Sequence, residues 1–366
     1  MSRRGVVVLG STGSIGTSTL NVLRRHPERF RLVALTAGSN ATLLAEQIAE
    51  WQPEFAGLVS GNGPACLLEA ATHPDAHIVV NAVVGFAGLA ATLAALRAGK
   101  RVALANKESL VVAGELVRAA AREGGGELVP VDSEHSAVLQ CIAGRESALR
   151  RLILTASGGP FRDWSPDRLR QASVPEALNH PTWRMGSKIS VDSATLANKA
   201  MEVIEAHHLF ALPYDQVEVV VHPQSIVHAL VEFTDGSVLG QLGFPSMELP
   251  ILYALTHPER VADPAVRAFD PVAAGALTFE PLRTEVFGAF RAGVAAGRLG
   301  GTAPAAFNAA NEVAVKAFLS GRIRFGSIAE VIERTLEGHE VMPVGSLEMV
   351  QQADRAARAL AERLAA

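Results

Sequence analysis

The fold of this chain is decided by the stretch Gly10-Ser11-Thr12-Gly13-Ser14-Ile15-Gly16. The apolar run Val6–Leu9 before it predicts a strand, and the pattern after it predicts a helix that continues to about Arg25. Glycines at this spacing let the backbone turn tightly and approach a pyrophosphate, which then lies on the N–H groups of the helix N-terminus. The glycine pattern alone is weak evidence, and a turn without a ligand is the alternative. Its position between a strand and a helix favours a dinucleotide-binding unit.

Outward from this turn, strand-like and helix-like segments alternate along the first third of the chain. The later strands are predicted at Arg31–Leu35, Ala56–Val59, Ile78–Asn81, Arg101–Ala105 and Glu127–Val131, and an Ala-rich helix at Ala87–Ala98. Such alternation is typical of a doubly wound parallel sheet. We therefore predict an α/β fold in which residues 1–131 form a Rossmann-like cofactor domain.

The pattern of the sequence changes from Arg151 onward. Strands are predicted at Leu152–Ala156, Val217–Val221, Ala229–Phe233 and Val238–Leu242, and they indicate a mixed sheet. We predict a central α+β catalytic domain over residues 132–260, a linker over 261–284 and a C-terminal helical bundle over 285–366. The last predicted helix has an apolar stripe at steps of three and four, made by Val350, Ala353, Ala357, Leu360 and Leu364.

Composition and charge exclude several classes of protein. Hydrophobic residues make up 49% and charged residues 19% of the 366 residues, an ordinary balance for a globular protein. The net charge of −4 argues against a nucleic-acid partner. No apolar run reaches the roughly 18 residues of a membrane span, and the N-terminal apolar run is too short for a signal peptide, so we expect a cytoplasmic protein. Cys66 and Cys141 form no C-x-x-C pair, which argues against a disulfide framework or a thiolate zinc site.

The end of the second strand distinguishes between the nicotinamide cofactors. NAD-specific sites usually carry an acidic residue there, which binds the ribose hydroxyls. Here the strand runs into Gly38-Ser39-Asn40, which contains no acid. An acid would repel a 2′-phosphate, whereas Ser39, Asn40 and nearby backbone N–H groups could bind one. The sequence therefore favours NADP over NAD.

Acidic residues follow the strand that ends at Val131. Asp132 and Glu134 flank a hydroxyl residue and can converge on a hard cation if the backbone bends there, although a solvated acidic turn is the alternative. Together with Glu202 they would form an all-oxygen triad that suits Mg²⁺ or Mn²⁺ and leaves positions open for substrate.

Two further strand ends suit a phosphorylated ligand. Lys107 follows Arg101–Ala105 at the edge that faces the ligand crevice, although a surface lysine that begins a helix is the alternative. Ser157 lies in a glycine-flanked turn, which could form a phosphate nest or be a tight turn without a ligand. His222 and His228 are six residues apart, and we expect them to pack in the core or support a site rather than to bind metal.

The segment before Glu202 is the richest in polar groups. Asp192 or Ser193 is expected to cap the helix that follows, which would place Ser193 at the positive end of that helix. One face of this helix would carry three polar residues, Asn198, Lys199 and Glu202. A capped helix with a Lys–Glu ion pair is the alternative. The preceding residues 179–188 have little periodicity, but Trp183 and Met185 would be poor choices for a merely solvated loop.

These residues resemble the 1-deoxy-D-xylulose 5-phosphate reductoisomerase family, NADPH-dependent enzymes of the non-mevalonate isoprenoid pathway. The strings Pro-Val-Asp-Ser-Glu-His and Lys-Ile-Ser-Val-Asp-Ser-Ala-Thr are highly specific to it. The matching stretches occur in family order along nearly the whole chain: Leu9–Gly16, Ala105–Leu110, Pro130–Ser136, Leu154–Phe161, His180–Ala206, Val221–His228 and Phe307–Val313.

The resemblance implies a role for each matching residue. Asp132, Glu134 and Glu202 would bind a divalent metal, Mg²⁺, Mn²⁺ or Co²⁺. The substrate phosphate would be held by Ser157, Ser193, Asn198 and Lys199. Ser133, Glu134 and Lys107 would contact the rest of the substrate, with Lys107, Glu134 and His180 as catalytic residues, and His180, Trp183 and Met185 would belong to a mobile lid over residues 179–188. NADPH would be contacted by Thr12, Gly13, Ser14, Ile15, Gly38, Ser39, Asn40, Asn106, Glu108 and Gly186.

The resemblance also implies the reaction. The substrate would be 1-deoxy-D-xylulose 5-phosphate, rearranged to a branched aldehyde phosphate and reduced to 2-C-methyl-D-erythritol 4-phosphate in a homodimeric enzyme. Some members of the family have a lysine where this chain has Ser39, so the 2′-phosphate would be held less tightly or by other groups. A related reductase for another phosphorylated substrate and a non-catalytic NADP sensor are the alternatives, but a sensor would have no use for the carboxylate and phosphate residues.

Overall fold

The computed structural model describes residues 3–366. The helices of this part of the chain are α1 (Ser14–Arg25), α2 (Ala41–Trp51), α3 (Val59–Asn62), α4 (Ala65–Ala71), α5 (Leu89–Arg97), α6 (Lys107–Gly124), α7 (Ser133–Ile142), α8 (Pro166–Arg170), α9 (Val174–Leu178), α10 (Ser187–Ala194), α11 (Ala197–Phe210), α12 (Glu248–Thr256), α13 (Pro271–Ala274), α14 (Gly288–Leu299), α15 (Ala303–Leu319), α16 (Ser327–Glu337) and α17 (Leu347–Leu364). Its strands are β1 (Arg4–Leu9), β2 (Phe30–Ala37), β3 (Phe55–Leu58), β4 (Ile78–Asn81), β5 (Arg101–Leu104), β6 (Glu127–Pro130), β7 (Leu149–Ala156), β8 (Val217–Val221), β9 (Val227–Phe233), β10 (Val238–Leu242) and β11 (Glu280–Pro281).

The described residues divide into two compact units. The first holds the residues up to Ser109 together with Glu115–Leu139 and Ser246–Ala268. The second holds Leu110–Gly114, Gln140–Pro245 and Phe269–Ala366. This division differs from the boundaries expected from the sequence, because α12 and the residues after it belong to the first unit instead of to a central domain and a linker.

The first unit is built on a parallel sheet with the order β3-β2-β1-β4-β5-β6. Its strands are apolar on both faces because helices cover both sides, and Val6, Val7 and Val8 of β1 are fully buried. The strand order reverses once, between β1 and β4, and in doubly wound sheets ligands bind at such a switch point. The predicted strands of this unit are confirmed with small changes at their ends.

Helix α12 completes the apolar core of the first unit. Ile251, Leu252 and Leu255 are at most 1% exposed and belong to the same cluster as Val8 and Val129 of the parallel sheet. The sequence of α12 is apolar around its whole circumference, as expected of a helix enclosed on every side.

The second unit contains a mixed sheet with the order β10-β9-β7-β8-β11. Strand β7 runs parallel to β8 and antiparallel to β9, and the hairpin β9–β10 turns through Thr234-Asp235-Gly236. Helix α11 contacts β8, and α14 packs on α11. Gly293 and Gly297 of α14 allow this close packing, since a Cβ at either position would lie within 2.9 Å of side chains of the second unit.

The C-terminal part of the second unit is helical, as the sequence predicts. Helix α15 packs against α16 and α17. Val350, Ala353 and Ala357 of the predicted stripe are at most 2% exposed, whereas Leu360 and Leu364 are half-buried. The predicted fold class, a Rossmann-like parallel sheet with a mixed sheet and a helical bundle, is confirmed. None of the helices within residues 3–366 has both the length and the apolar character needed to cross a bilayer.

Candidate active site

The glycine turn after β1 has the geometry that a bound pyrophosphate requires. Gly10 has φ +82°, in the left-handed region that favours glycine, and a Cβ there would lie 2.6 Å from the carbonyl oxygen of Ala82. A Cβ at Gly16 would lie 2.3 Å from the carbonyl oxygen of Gly10, so only glycine lets α1 start this close to the strand. Ser11 and Gln47 hold the turn by two side-chain hydrogen bonds of 2.7 and 3.0 Å.

The start of α1 keeps its first N–H groups available. Its N-cap residue is Gly13, and no side chain of residues 3–366 caps this end of the helix. Ser14 and Ile15 open the helix directly after it. An uncapped N-terminus at this place presents N–H groups and a partial positive charge to an anion.

The end of β2 leaves three polar positions exposed. Gly38, Ser39 and Asn40 follow the strand and are all accessible to solvent. Asn40 also caps α2, since its side chain accepts a 3.1 Å hydrogen bond from the backbone N–H of Leu43. Ser39 and Asn40 are therefore accessible at the position predicted to hold the 2′-phosphate.

Asn106 has a structural role that the sequence did not predict. It caps α6 and is 1% exposed, and its Nδ2 atom donates to the carbonyl oxygens of Val83 and Gly85 and to the carboxylate of Glu108, at 2.8 to 2.9 Å. The side chain thus ties the loop after β4 to the start of α6. Its amide protons and its backbone N–H, which donates to the carbonyl oxygen of Asn81, are all used inside the protein, and its contact with NADPH stays a prediction.

Lys107 and the acidic turn after β6 lie together in the first unit. Lys107 is 9% exposed and forms an ion pair with Asp132, so it is not a surface lysine. Asp132 accepts hydrogen bonds from the N–H groups of Glu134 and His135, at 3.1 and 3.2 Å, which places its carboxylate at the start of α7. Ser133 donates a 2.6 Å hydrogen bond to Glu134. The acidic turn is therefore an ordered, mostly buried cluster and not a solvated loop.

Ser157 and His180 meet in the second unit. Ser157 follows β7, and its hydroxyl lies 3.0 Å from Nε2 of His180 and accepts a 3.2 Å hydrogen bond from the N–H of Gly159. The other ring nitrogen, Nδ1, accepts hydrogen bonds from the N–H groups of Thr182 and Trp183, at 3.1 and 2.9 Å. Since Nδ1 is an acceptor, the neutral ring carries its proton on Nε2 and donates it to Ser157.

Helix α11 gathers the predicted polar residues on one face. Asn198 donates a 2.5 Å hydrogen bond to one carboxylate oxygen of Glu202, and Lys199 forms an ion pair with the other. Lys199 also donates to the carbonyl oxygen of Thr155 at the end of β7. Glu202 is 1% and Lys199 3% exposed. The other amide atom, Oδ1 of Asn198, is buried and has no hydrogen-bond partner among the described residues.

The predicted cap of this helix is wrong. Asp192 and Ser193 lie inside α10, which begins at Ser187, whereas α11 begins after Leu196, a residue in the left-handed region with φ 59°. Ser193 is thus in the last turn of α10 and not at the positive end of a helix. The Asp-Ser pair resembles a cap in the sequence, but the Asp192 carboxylate is used in contacts outside its own turn.

The predicted lid, residues 179–188, has no regular structure between α9 and α10. Trp183 and Met185 are half-buried, and Gly186 is the exposed N-cap residue of α10. Lys188 already belongs to α10. His222, expected to pack in the core, is fully buried, with Nδ1 2.8 Å from the carbonyl oxygen of Thr278.

Models of known protein families match most of the chain. The model described as 1-deoxy-D-xylulose 5-phosphate reductoisomerase matches residues 6–62 and 58–114, that of its C-terminal domain matches 128–210, and a model described as the DXP reductoisomerase C-terminal domain matches 242–360. A 1-deoxy-D-xylulose 5-phosphate reductoisomerase from Synechococcus sp. (strain JA-2-3B'a(2-13)) is 50% identical, with 99% of this chain and 97% of that protein covered. The chain belongs to the 1-deoxy-D-xylulose 5-phosphate reductoisomerase family.

Other members of the reductoisomerase family agree over the full length. A reductoisomerase from Bacillus cereus (strain Q1) is 49% identical, with 97% of this chain and 98% of that protein covered. The solved structure of the Zymomonas mobilis reductoisomerase in complex with NADPH has a TM-score of 0.91 and 42% identity, covering 100% of this chain and 99% of its own. A DOX-P reductoisomerase in complex with NADPH, fosmidomycin and magnesium has a TM-score of 0.94 and 40% identity, covering 99% and 98%.

The ionisation of His180 in this reductoisomerase is set by its burial. Removal from solvent lowers the pKa of the imidazole from 6.5 to about 4. The ring is therefore neutral near pH 7, and it acts toward Ser157 as a hydrogen-bond donor through Nε2 and not as a cation.

We expect NMR titration of the histidine rings to show His180 as the Nε2–H tautomer with a midpoint near pH 4, assigned by its absence in His180→Gln. Because the unfolded ring has the higher pKa, the unfolded state binds more protons between about pH 4 and 6.5. The contribution of His180 to stability is thus complete above that window and is lost as the pH falls through it. A midpoint near 6.5 would contradict the burial argument.

Proposed function

We propose that this chain catalyses the NADPH- and divalent-metal-dependent conversion of 1-deoxy-D-xylulose 5-phosphate to 2-C-methyl-D-erythritol 4-phosphate. The observation that carries the proposal is the match over 99% of the chain to a reductoisomerase structure in complex with NADPH, fosmidomycin and magnesium. The residues assigned below to the metal and the substrate are all buried or half-buried. This activity makes the chain an oxidoreductase of isoprenoid precursor biosynthesis.

We assign the metal to Asp132, Glu134 and Glu202. The donor set is entirely carboxylate oxygen, which suits Mg²⁺, Mn²⁺ or Co²⁺ better than a soft metal. Lys107 pairs with Asp132 and Lys199 with Glu202, so two of the three carboxylates lie beside a cation. Such a charge-balanced arrangement keeps the carboxylates in the form that binds a divalent ion.

We assign the substrate phosphate to Ser157, Ser193, Asn198 and Lys199. Ser157 lies in a glycine turn with positive φ at Gly158 and Gly159, where backbone N–H groups can surround an anion. The buried Oδ1 atom of Asn198 accepts hydrogen bonds only, so its partner would be a hydroxyl of the substrate beside the phosphate and not a phosphate oxygen. A phosphate held here supplies binding energy remote from the reacting carbons.

We assign NADPH to residues of the first unit and to Gly186 of the second. The pyrophosphate would lie on the start of α1, contacted by Thr12, Gly13, Ser14 and Ile15. The 2′-phosphate would be held by Gly38, Ser39 and Asn40. Asn106, Glu108 and Gly186 would contact the nicotinamide half. The absence of an acid at the end of β2 supports NADPH over NADH.

We assign a separate role in the reaction to each group of residues. Bound NADPH supplies the hydride, and the bound divalent ion supplies Lewis acidity to the substrate oxygens. Lys107 and Ser133 orient the substrate, and Glu134 holds or moves a proton beside it. Neutral His180 donates a hydrogen bond through Nε2. Trp183 and Met185 would exclude water from the site when the lid is closed.

We further propose that the enzyme is a cytoplasmic homodimer. Strand β10 is the outer strand of the mixed sheet, and Val238 and Leu239 on it are 49% and 41% exposed. An apolar sheet edge of this kind favours pairing with another strand, and a second copy of the chain would cover it. No nucleic acid is part of the proposal, in keeping with the net charge of −4.

The function is tested by following NADPH at about 340 nm with Mg²⁺ or Mn²⁺ and 1-deoxy-D-xylulose 5-phosphate. We expect oxidation of NADPH that requires both the metal and the sugar phosphate, because the carboxylates and the phosphate residues act on one substrate. Chelation by EDTA should stop it, and readdition of metal should restore it. Oxidation without metal, or none with it, would refute the proposal.

A further inference from the structure

Asp192 is a buried carboxylate that the reaction does not use. It lies on α10 and is 1% exposed. One of its oxygens accepts a 2.8 Å hydrogen bond from Nδ2 of Asn311 on α15, and the other lies 3.0 Å from Nζ of Lys188, one helical turn earlier. Burying a carboxylate is costly unless it is paired and hydrogen-bonded. The hydrogen bond from Asn311 therefore fixes α10 against α15, and the ion pair with Lys188 fixes the first turn of α10.

Lys188 connects this carboxylate to the lid. It is the last residue of the segment 179–188 and lies in the first turn of α10, where a positive charge opposes the helix dipole. No side chain of the described residues caps that end, whose N-cap residue is Gly186. The ion pair with Asp192 offsets the unfavourable charge, and it fixes the Lys188 side chain where the lid joins α10.

The C-terminal end of α10 lies against the proposed phosphate site. Ser193 follows Asp192 directly, and a Cβ at Gly159 would lie 2.7 Å from the carbonyl oxygen of Ser193. The glycine turn that carries Ser157 thus abuts the backbone of α10. A shift of α10 along this contact would move Ser193 relative to Ser157.

Asn311 anchors the arrangement to the C-terminal helices. Its neighbour Glu312 accepts a 2.6 Å hydrogen bond from Arg358 of α17, and Arg358 also pairs with Asp354. These contacts raise the pKa of Arg358 above its ordinary value although burial opposes the charge, so the ion pairs hold it charged. Helix α15 therefore has polar contacts with α17 through Glu312 and with α10 through the neighbouring Asn311.

We propose that Asp192 is a positioning residue that fixes the end of the lid through Lys188, and the place of Ser193 through Asn311, for binding of the substrate phosphate. The proposal rests on the assignment of Ser193 and the lid under the proposed function. Asp192 itself touches neither substrate nor cofactor in this role. Its loss should therefore affect substrate capture more than the chemical step.

The test uses Asp192→Asn, which keeps the shape and the acceptor for Asn311 but removes the charge that holds Lys188. We expect the KM for 1-deoxy-D-xylulose 5-phosphate to rise about tenfold, with kcat within about threefold and NADPH affinity unchanged. Tryptic cleavage after Arg184, which is exposed in the lid, should become several times faster. Lys188→Met should reproduce these effects, and Lys188→Arg should keep the wild-type KM.

The double variant Lys188→Met/Asp192→Asn should be no worse than either single variant, because both remove the same contact. A lower Tm with unchanged KM and unchanged cleavage would mean a purely structural role and overturn the proposal. Ser193→Ala is measured in parallel. An unchanged KM in that variant contradicts the phosphate site itself, whereas a raised KM there with an unchanged KM in Asp192→Asn overturns the positioning role alone.

Discussion

Replacing Glu202 with glutamine should abolish turnover while the enzyme still folds and binds NADPH. The substitution keeps the shape of a side chain that is 1% exposed, and its amide oxygen keeps one of the two acceptor positions that Asn198 and Lys199 share. It removes one of the three negative charges assigned to the metal. We expect kcat/KM to fall about 10³-fold or more, which corresponds to about 4 kcal/mol of transition-state stabilisation.

The measurement compares steady-state kinetics with NADPH binding followed by its fluorescence. Glu218→Gln is the matched control, because Glu218 is an exposed carboxylate on β8 of the same unit, paired with Arg151. That control should keep wild-type turnover. Equal loss of NADPH affinity and turnover in Glu202→Gln would contradict the division of tasks between the residues assigned to NADPH and the carboxylates assigned to the metal.

Replacing Gly16 with alanine should abolish tight NADPH binding. The new Cβ would lie 2.3 Å from the carbonyl oxygen of Gly10 and 2.5 Å from Cα of Ser11, and both are backbone atoms that cannot rotate away. The start of α1 must then move off the glycine turn, and its N–H groups no longer meet the pyrophosphate. We expect the Kd for NADPH to rise at least about 100-fold, or about 2.7 kcal/mol.

Titration of NADPH fluorescence checks this expectation, with calorimetry to report the Tm. Gly61→Ala is the control, since the atom nearest to a Cβ there is 3.9 Å away and the residue lies outside the site. A Gly16→Ala protein with the wild-type Kd would show that the close contact in the turn is not needed for the cofactor.

Much of the first unit can be predicted from local sequence. Buried parallel strands are short apolar runs bounded by turn residues, so Ile78–Asn81 matches its prediction at both ends. The glycine turn after β1 can also be predicted from the sequence, because its backbone geometry excludes other residue types. The acidic turn after β6 could be placed at a strand end but not judged buried, since that depends on Lys107 pairing with Asp132.

The errors arise where distant contacts decide the outcome. Asp192 and Ser193 satisfy the local pattern of a helix cap, but the Asp192 carboxylate is taken by Asn311, 119 residues away. Nothing in the local sequence assigns a role to Asn311. Lys188 and Asp192 are four residues apart, and this helical spacing was the sign in the sequence that they could form an ion pair. Likewise, no local pattern says which sheet the apolar helix α12 covers.

Ser246–Ala268 belongs to the first unit although it follows residues of the second unit in the sequence. This order affects how the chain folds while it is being synthesised. A ribosome completes the six strands of the parallel sheet by Pro130, yet Ile251 and Leu255, which close its core, emerge only after residues 140–245 have been made. At the usual elongation rates of about 5–20 residues per second, that delay is roughly 5–20 s. Throughout it, the nascent sheet presents an apolar surface that a chaperone would recognise, and the cofactor unit finishes folding after much of its neighbour has been translated.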